Sequence, residues 1–148
     1  MTTKDYLSQI RILSAKIDHL KMERDQLRSA MYSIRSPSDG EKVQSSQDPD
    51  KLGVIMGRLD DMEINLANHI CELFDIRIRI INQIHELNNI SHVQILYKRH
   101  VELKSWKKIS EELNFSVRNV HYLHGHALQA FSDKFSGEYS DKLFTCFH

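Results

Sequence analysis

The sequence predicts an all-α protein: a long antiparallel helical hairpin of coiled-coil type, followed by a C-terminal helix-turn-helix module. Three observations predict it. A seven-residue apolar repeat runs through two long segments, a stretch rich in Ser, Asp and Pro separates them, and three shorter helical patterns follow. Composition agrees, since the 148 residues include only two prolines and five glycines, with 27% charged and 41% apolar side chains. That balance suits elongated helices better than a sandwich or barrel.

The first helix is expected over about residues 3–34, where Tyr6, Ile10, Leu13, Ile17, Leu20, Arg24, Leu27, Met31 and Ile34 alternate steps of four and three. Such spacing keeps one seam turned toward a partner helix. Arg24 interrupts the seam, either setting the register of the pair or extending its head to water. The partner is expected over about residues 52–87, with Leu52, Ile55, Leu59, Met62, Leu66, His69, Leu73, Ile76, Ile80, Gln83 and Leu87 in the same rhythm. Between them, the loop at 35–51 holds both prolines in SPSDGEKVQSSQDPDK, so no helix should pass through it. Its VQSS stretch reads as a turn, with Ser46 or Asp50 capping the second helix. Ile70, Phe74, Ile78, Ile81 and Ile84 widen the apolar face of that helix beyond what one partner covers. Either the C-terminal module or a second copy of the chain must pack there, and a homodimer through the hairpin is the expected assembly.

The pattern breaks at residues 85–91, where NNIS suits a helix end and a new start. Three helices are expected at about 91–102, 105–113 and 116–132, with turns at Leu103-Lys104 and Asn114-Phe115. The chain thus divides into a hairpin at 1–87, a module at 88–132 and a tail at 133–148. The tail has no clean periodicity, although Phe135, Tyr139, Leu143, Phe144 and Phe147 would let a last short helix dock.

Within Ser105–Leu128, SWKKISEELNFSVRNVHYLHGHAL has the register of a helix-turn-helix. Ile109 faces the second helix, the small Ser110 sits where the two cross, and Leu113 closes the first helix. Asn114 takes the turn position usually held by Gly, and tolerates left-handed dihedrals better than most residues. Phe115 is expected to cap the small core. Ser116 would cap the second helix, whose inward residues are Val120, Leu123 and Ala127. Its outward N-terminal face carries Ser116, Val117, Arg118, Asn119, His121 and Tyr122, the part of such a helix that enters the major groove. Arg pairs with guanine and Asn with adenine, while Val touches a thymine methyl. Lys98, Arg99, Lys104, Lys107 and Lys108 are the candidate phosphate contacts, which position rather than specify.

The run ILYKRHVELKSWKKISEELNFSVRNVHYLHGHAL resembles the promoter-reading fourth region of bacterial sigma factors. More broadly, residues 4–131 resemble short phage- and prophage-encoded proteins similar to the ArpU and RinA type late-gene regulators. The features that carry this are the long first helix, the loop GEKVQSSQDPDKLG, and KSWKKISEELNFS followed by VHYLHGHAL. The position of His126 is usually acidic in that family. The resemblance implies a sequence-specific DNA-binding regulator of phage late or packaging genes, working on double-stranded DNA in the bacterial cytoplasm. RNA polymerase or a sigma factor would be a further partner. The alternatives are a DNA-packaging protein like a small terminase subunit, or a helical protein adaptor.

Other chemistries find little support in the sequence. His92, His100, His121, His124 and His126 invite a metal reading, yet no Cys or carboxylate at suitable spacing completes a closed site. Trp106 reads as a structural aromatic rather than a base-stacking one. With no glycine-rich phosphate loop and no nucleophile beside a base, neither a catalytic residue nor a cofactor is expected, and the chain reads as non-enzymatic. Cys71 and Cys146 form no paired motif, the N-terminus lacks a secretory pattern, and no apolar run is long enough to span a membrane.

Formal net charge is zero, from 20 Lys plus Arg against 20 Asp plus Glu, but it is unevenly spread. Residues 1–35 carry +3, 36–51 carry −2, 52–87 carry −3, 88–131 carry +3 and the remainder −1. A uniformly basic coat for nucleic acid is thereby excluded, while a modest basic patch remains.

Overall fold

Helices account for nearly all of residues 1–35 and 49–140, the residues described by the computed structural model, and no strand occurs among them. The protein is therefore all-α, with five helices: α1 (Thr3–Arg35), α2 (Pro49–His85), α3 (Ile90–Leu96), α4 (Trp106–Leu113) and α5 (Val117–Ser140). Four of the five begin with side-chain caps that the sequence supplies, the one at α5 being described with its site below. Ahead of α1, the Thr2 hydroxyl accepts from the Asp5 backbone N–H while the Asp5 carboxylate accepts from Thr2 N–H and hydroxyl, a reciprocal box. Asn89 Oδ1 accepts from the N–H of Ser91 at 2.9 Å, and Ser105 Oγ accepts from that of Lys108 at 3.3 Å. At α2 the helix opens on Pro49, whose missing N–H is not needed in a first turn, with Asp50 beside it. VQSS, Ser46 and the candidate turn lie outside the described residues.

The chain forms two compact units, one joining Met1–Leu13 to Leu73–His148 and the other comprising Ser14–Glu72. In the first, part of the apolar excess of α2 is covered by the C-terminal helices. Ile80 and Ile84 are fully buried with Leu7 and Ile10 of α1, Leu96 of α3, and Ala127 and Phe131 of α5. Tyr6 and Gln83, both seam positions, meet in this core through a 2.8 Å bond from the Tyr6 hydroxyl to Gln83 Oε1. Gln83 Nε2 in turn donates to Glu138 at 2.8 Å, so the buried amide is satisfied on both ends. Phe74 and Ile78 stay exposed.

Between α3 and α4 the helix widens into a π-helical turn at Tyr97–Val101, closed by Glu102 N–H donating to Tyr97 O at 3.0 Å. The wider turn places His100 and Val101 side by side in the interior. The chain then leaves through Leu103, whose φ of 57° is uncommon for a bulky residue. Nothing in the amino-acid pattern announces this widening, and the single helix expected over 91–102 is in fact α3 plus the π turn.

α5 runs on to Ser140, past the expected end at Ser132, because the inward stripe of Val120, His124, Ala127, Phe131 and Phe135 continues at helical spacing. Phe135 belongs to the helix and the core rather than to a separate docking segment. Leu143, Phe144 and Phe147 lie outside the described residues.

The second unit is a pair of helical segments. Among its described residues Ile17, Leu59 and Leu66 are the buried apolar ones, while Met22 and Ile64 are exposed. Two helices shield only a narrow seam from water, so the same repeat that closes a core in one unit leaves most side chains half-covered here. Arg28 bridges to Glu63 at 2.8 Å, and Arg24 approaches Glu63 at 3.6 Å and Asp25 at 3.0 Å. The polar interruption of the seam is thus an ion-pair position linking α1 to α2.

Candidate nucleic-acid interface

The α4–α5 corner is built from four local choices of sequence. Ser105 caps α4, and Ile109 enters the interior with no exposed surface. Asn114 ends the helix in the left-handed conformation (φ 55°, ψ 38°), its N–H donating to Ser110 O, and Phe115 N–H reaches the same carbonyl at 3.1 Å. Ser116 Oγ then accepts from Asn119 N–H at 3.2 Å, starting α5. Val120 and Ala127 turn inward, fully buried, as the spacing predicts, and Leu123 is half-buried. Phe115 departs from expectation: it is 37% exposed and does not close the core, because the Asn114 turn carries it to the rim.

Each of Ser116, Val117, Arg118, Asn119, His121 and Tyr122 is exposed. They lie on the first two turns of α5, with only Val120 among them directed inward. Two carry ring contacts: His121 lies 4.3 Å from the Trp106 ring, and Tyr122 meets His126 edge-on at 4.4 Å. Lys107 and Lys108 are exposed on the first turn of α4.

The other three candidate cations are engaged within the fold. Lys98 Nζ is 2.6 Å from Glu112, and Lys104 Nζ lies 2.8 Å from Glu112 and 2.9 Å from Glu102. Hydrogen bonds from Lys104 and then Lys98 hold the Glu112 carboxyl down at about 2, and those from Glu112 and Glu102 raise the Lys104 ammonium above its ordinary value. Arg99 lies 4.3 Å over the Trp106 ring and donates from Nη1 to Lys104 O at 2.8 Å. Burial, followed by the charge of Arg11, pushes its pKa below the usual guanidinium value.

Two of the histidines weighed as metal ligands, His100 and His124, form a buried pair behind this face. His100 and His124 are 6% and 7% exposed, with their Nε2 atoms 3.0 Å apart and their rings stacked at 5.3 Å. One ring must donate and the other accept, so at least one is neutral. Burial, reinforced for each by neighbouring positive charge, lowers His100 to about 3 and His124 to about 4. The Trp106 and His124 rings meet in a T-shaped contact with centroids 4.8 Å apart, which ties the pair to α4. The available signal was position: His124 falls on the same helical stripe as Val120, Ala127 and Phe131.

Among the described residues no group of three or more His, Cys, Asp or Glu converges on a possible metal site, and no helix is long and apolar enough to cross a membrane. No protein-family signature, curated protein or solved structure matches the chain.

Proposed function

We propose that the protein is a sequence-specific, double-stranded DNA-binding regulator, in which the first turns of α5 read base edges in the major groove. The observation that carries this is the face formed by Ser116, Val117, Arg118, Asn119, His121 and Tyr122. It is exposed throughout, holds hydrogen-bonding groups suited to both purine types, and follows a rigid αL turn that fixes its angle to α4. Lys107 and Lys108 flank it as phosphate anchors, and the positive end of the α5 dipole adds to them. Lys98 and Lys104 serve the fold first, and contribute field rather than direct contact.

With the resemblance to sigma region 4 and to the ArpU and RinA type regulators, this reading extends to control of phage late or packaging genes in the bacterial cytoplasm, with RNA polymerase or a sigma factor as a partner. Exposed Phe74 and Ile78 on α2 favour self-association, and a homodimer would double a small contact surface through effective concentration. The same exposed residues favour the rival reading, a packaging protein that assembles into a ring. Footprinting on phage DNA with and without polymerase, combined with the mass of the free protein in solution, tests both. A discrete footprint from a monomer or dimer is expected. A ring of many copies supports packaging instead, and protection seen only with polymerase supports an adaptor.

A further inference from the structure

Several cations in this protein are answered by carboxylates, as Arg28 is by Glu63 and Lys104 by Glu102 and Glu112. A different arrangement occurs at one pocket. A pocket of about 120 Å³ opens between the start of α1 and the π turn, where Lys4, Ser8 and Arg11 face Arg99, His100 and His124, with the Trp106 ring as part of the wall. Lys4, Ser8 and Arg11 share one helical face at spacings of four and three. No carboxylate lines the pocket. The neighbouring Asp5 does not line it; its carboxylate is held by the N–H and hydroxyl of Thr2 and also feels the charge of Lys4.

We propose that this pocket binds a phosphate-type oxyanion. Three positive side chains, Lys4, Arg11 and Arg99, line it and no carboxylate does, so an anion entering the pocket meets charge of one favourable sign from both of its walls. Arg99 supplies a planar fork already fixed by Trp106 and the Lys104 carbonyl, which suits a tetrahedral oxyanion better than a mobile ammonium does. Ser8 adds a hydroxyl, and the imidazoles of His100 and His124 form the floor. The positive charges of Arg11 and Lys4 already bear on both rings of the floor or on Arg99, so the groups act on one another in the empty pocket. At roughly 30 Å³ of liquid volume per water, a pocket of about 120 Å³ has room for a phosphate group. Two sources offer that chemistry, a free phosphate or one phosphate of a polynucleotide backbone, and neither depends on α5 reading bases.

The test is a titration of the full chain, in phosphate-free buffer, followed by the imidazole NMR signals of His100 and His124. Inorganic phosphate is expected to shift both signals saturably, while chloride at equal ionic strength does not. Arg11→Ala and Lys4→Gln, both at exposed positions, are expected to keep the wild-type melting temperature and to weaken the binding at least tenfold. If free phosphate gives no saturation but a short DNA duplex shifts the same two rings, and Arg11→Ala lowers the salt slope by about one, the source is a backbone phosphate. A site indifferent to both probes, or responding equally to chloride, overturns the proposal. Arg118→Ala leaves the phosphate titration unchanged in either case, which separates this site from the α5 face.

Discussion

Two groups of basic residues lie within twenty positions of each other and behave differently. Lys98 and Lys104 are locked between Glu102 and Glu112, with distances of 2.6 to 2.9 Å for the three shortest bridges. Lys107, Lys108 and Arg118 are exposed, with no ion pair among the described residues. A count of Lys and Arg treats the groups as equal, whereas geometry gives the first to the fold and leaves the second for a partner. The +3 charge of residues 88–131 is therefore less widely spread than its sum implies, and is concentrated where α4 and α5 begin.

The comparison is broken most sharply at the α5 face. Replacing Arg118 and Asn119 by Ala is expected to remove discrimination between a selected DNA site and a scrambled one, at about 1–3 kcal/mol for each bidentate pair lost. Next comes the interior behind that face. His100 and His124 titrate well below the unfolded value near 6.5, so the unfolded chain takes up protons that the folded chain refuses. Their contribution is complete above about pH 6.5 and is lost as pH falls toward 3 to 4. Denaturant unfolding at pH 7 and pH 5 is expected to show a loss of about 2 kcal/mol from His100 alone, and His100→Leu should flatten that dependence.

Smaller effects sharpen the contrast between the two basic groups. Lys107→Ala is expected to weaken binding to all DNA alike and to lower the salt slope by about one phosphate. Lys98→Ala should leave that slope unchanged and move the melting temperature only slightly, since a solvent-screened bridge stabilises little. If Lys98→Ala changes the slope as much as Lys107→Ala, the division between the groups fails.

Much of the fold was legible because it rests on period and punctuation. The long repeats in α1 and α2, the Asn114 turn and the Ser116 cap each follow from one or two residues whose local preference agrees with their surroundings. The π turn was not legible, since no local pattern marks it and the burial of His100 and Val101 that accompanies it depends on distant helices. Nor was the engagement of Lys98 and Lys104, because Glu112 lies fourteen positions from one and eight from the other and meets both only after α4 folds back. The exposed α5 face was legible as a set, whereas Phe115 was misplaced because an αL turn redirects whatever follows it.

Central to this account is that Arg118 and Asn119 read sequence rather than charge. The direct measurement is the affinity of the wild type and of the Arg118→Ala, Asn119→Ala double variant for a duplex selected from random DNA and for its scrambled counterpart, across a salt series. The account predicts that the variant binds both duplexes with the affinity the wild type shows for the scrambled one. An equal loss on the two duplexes, with the wild-type preference intact, would contradict it.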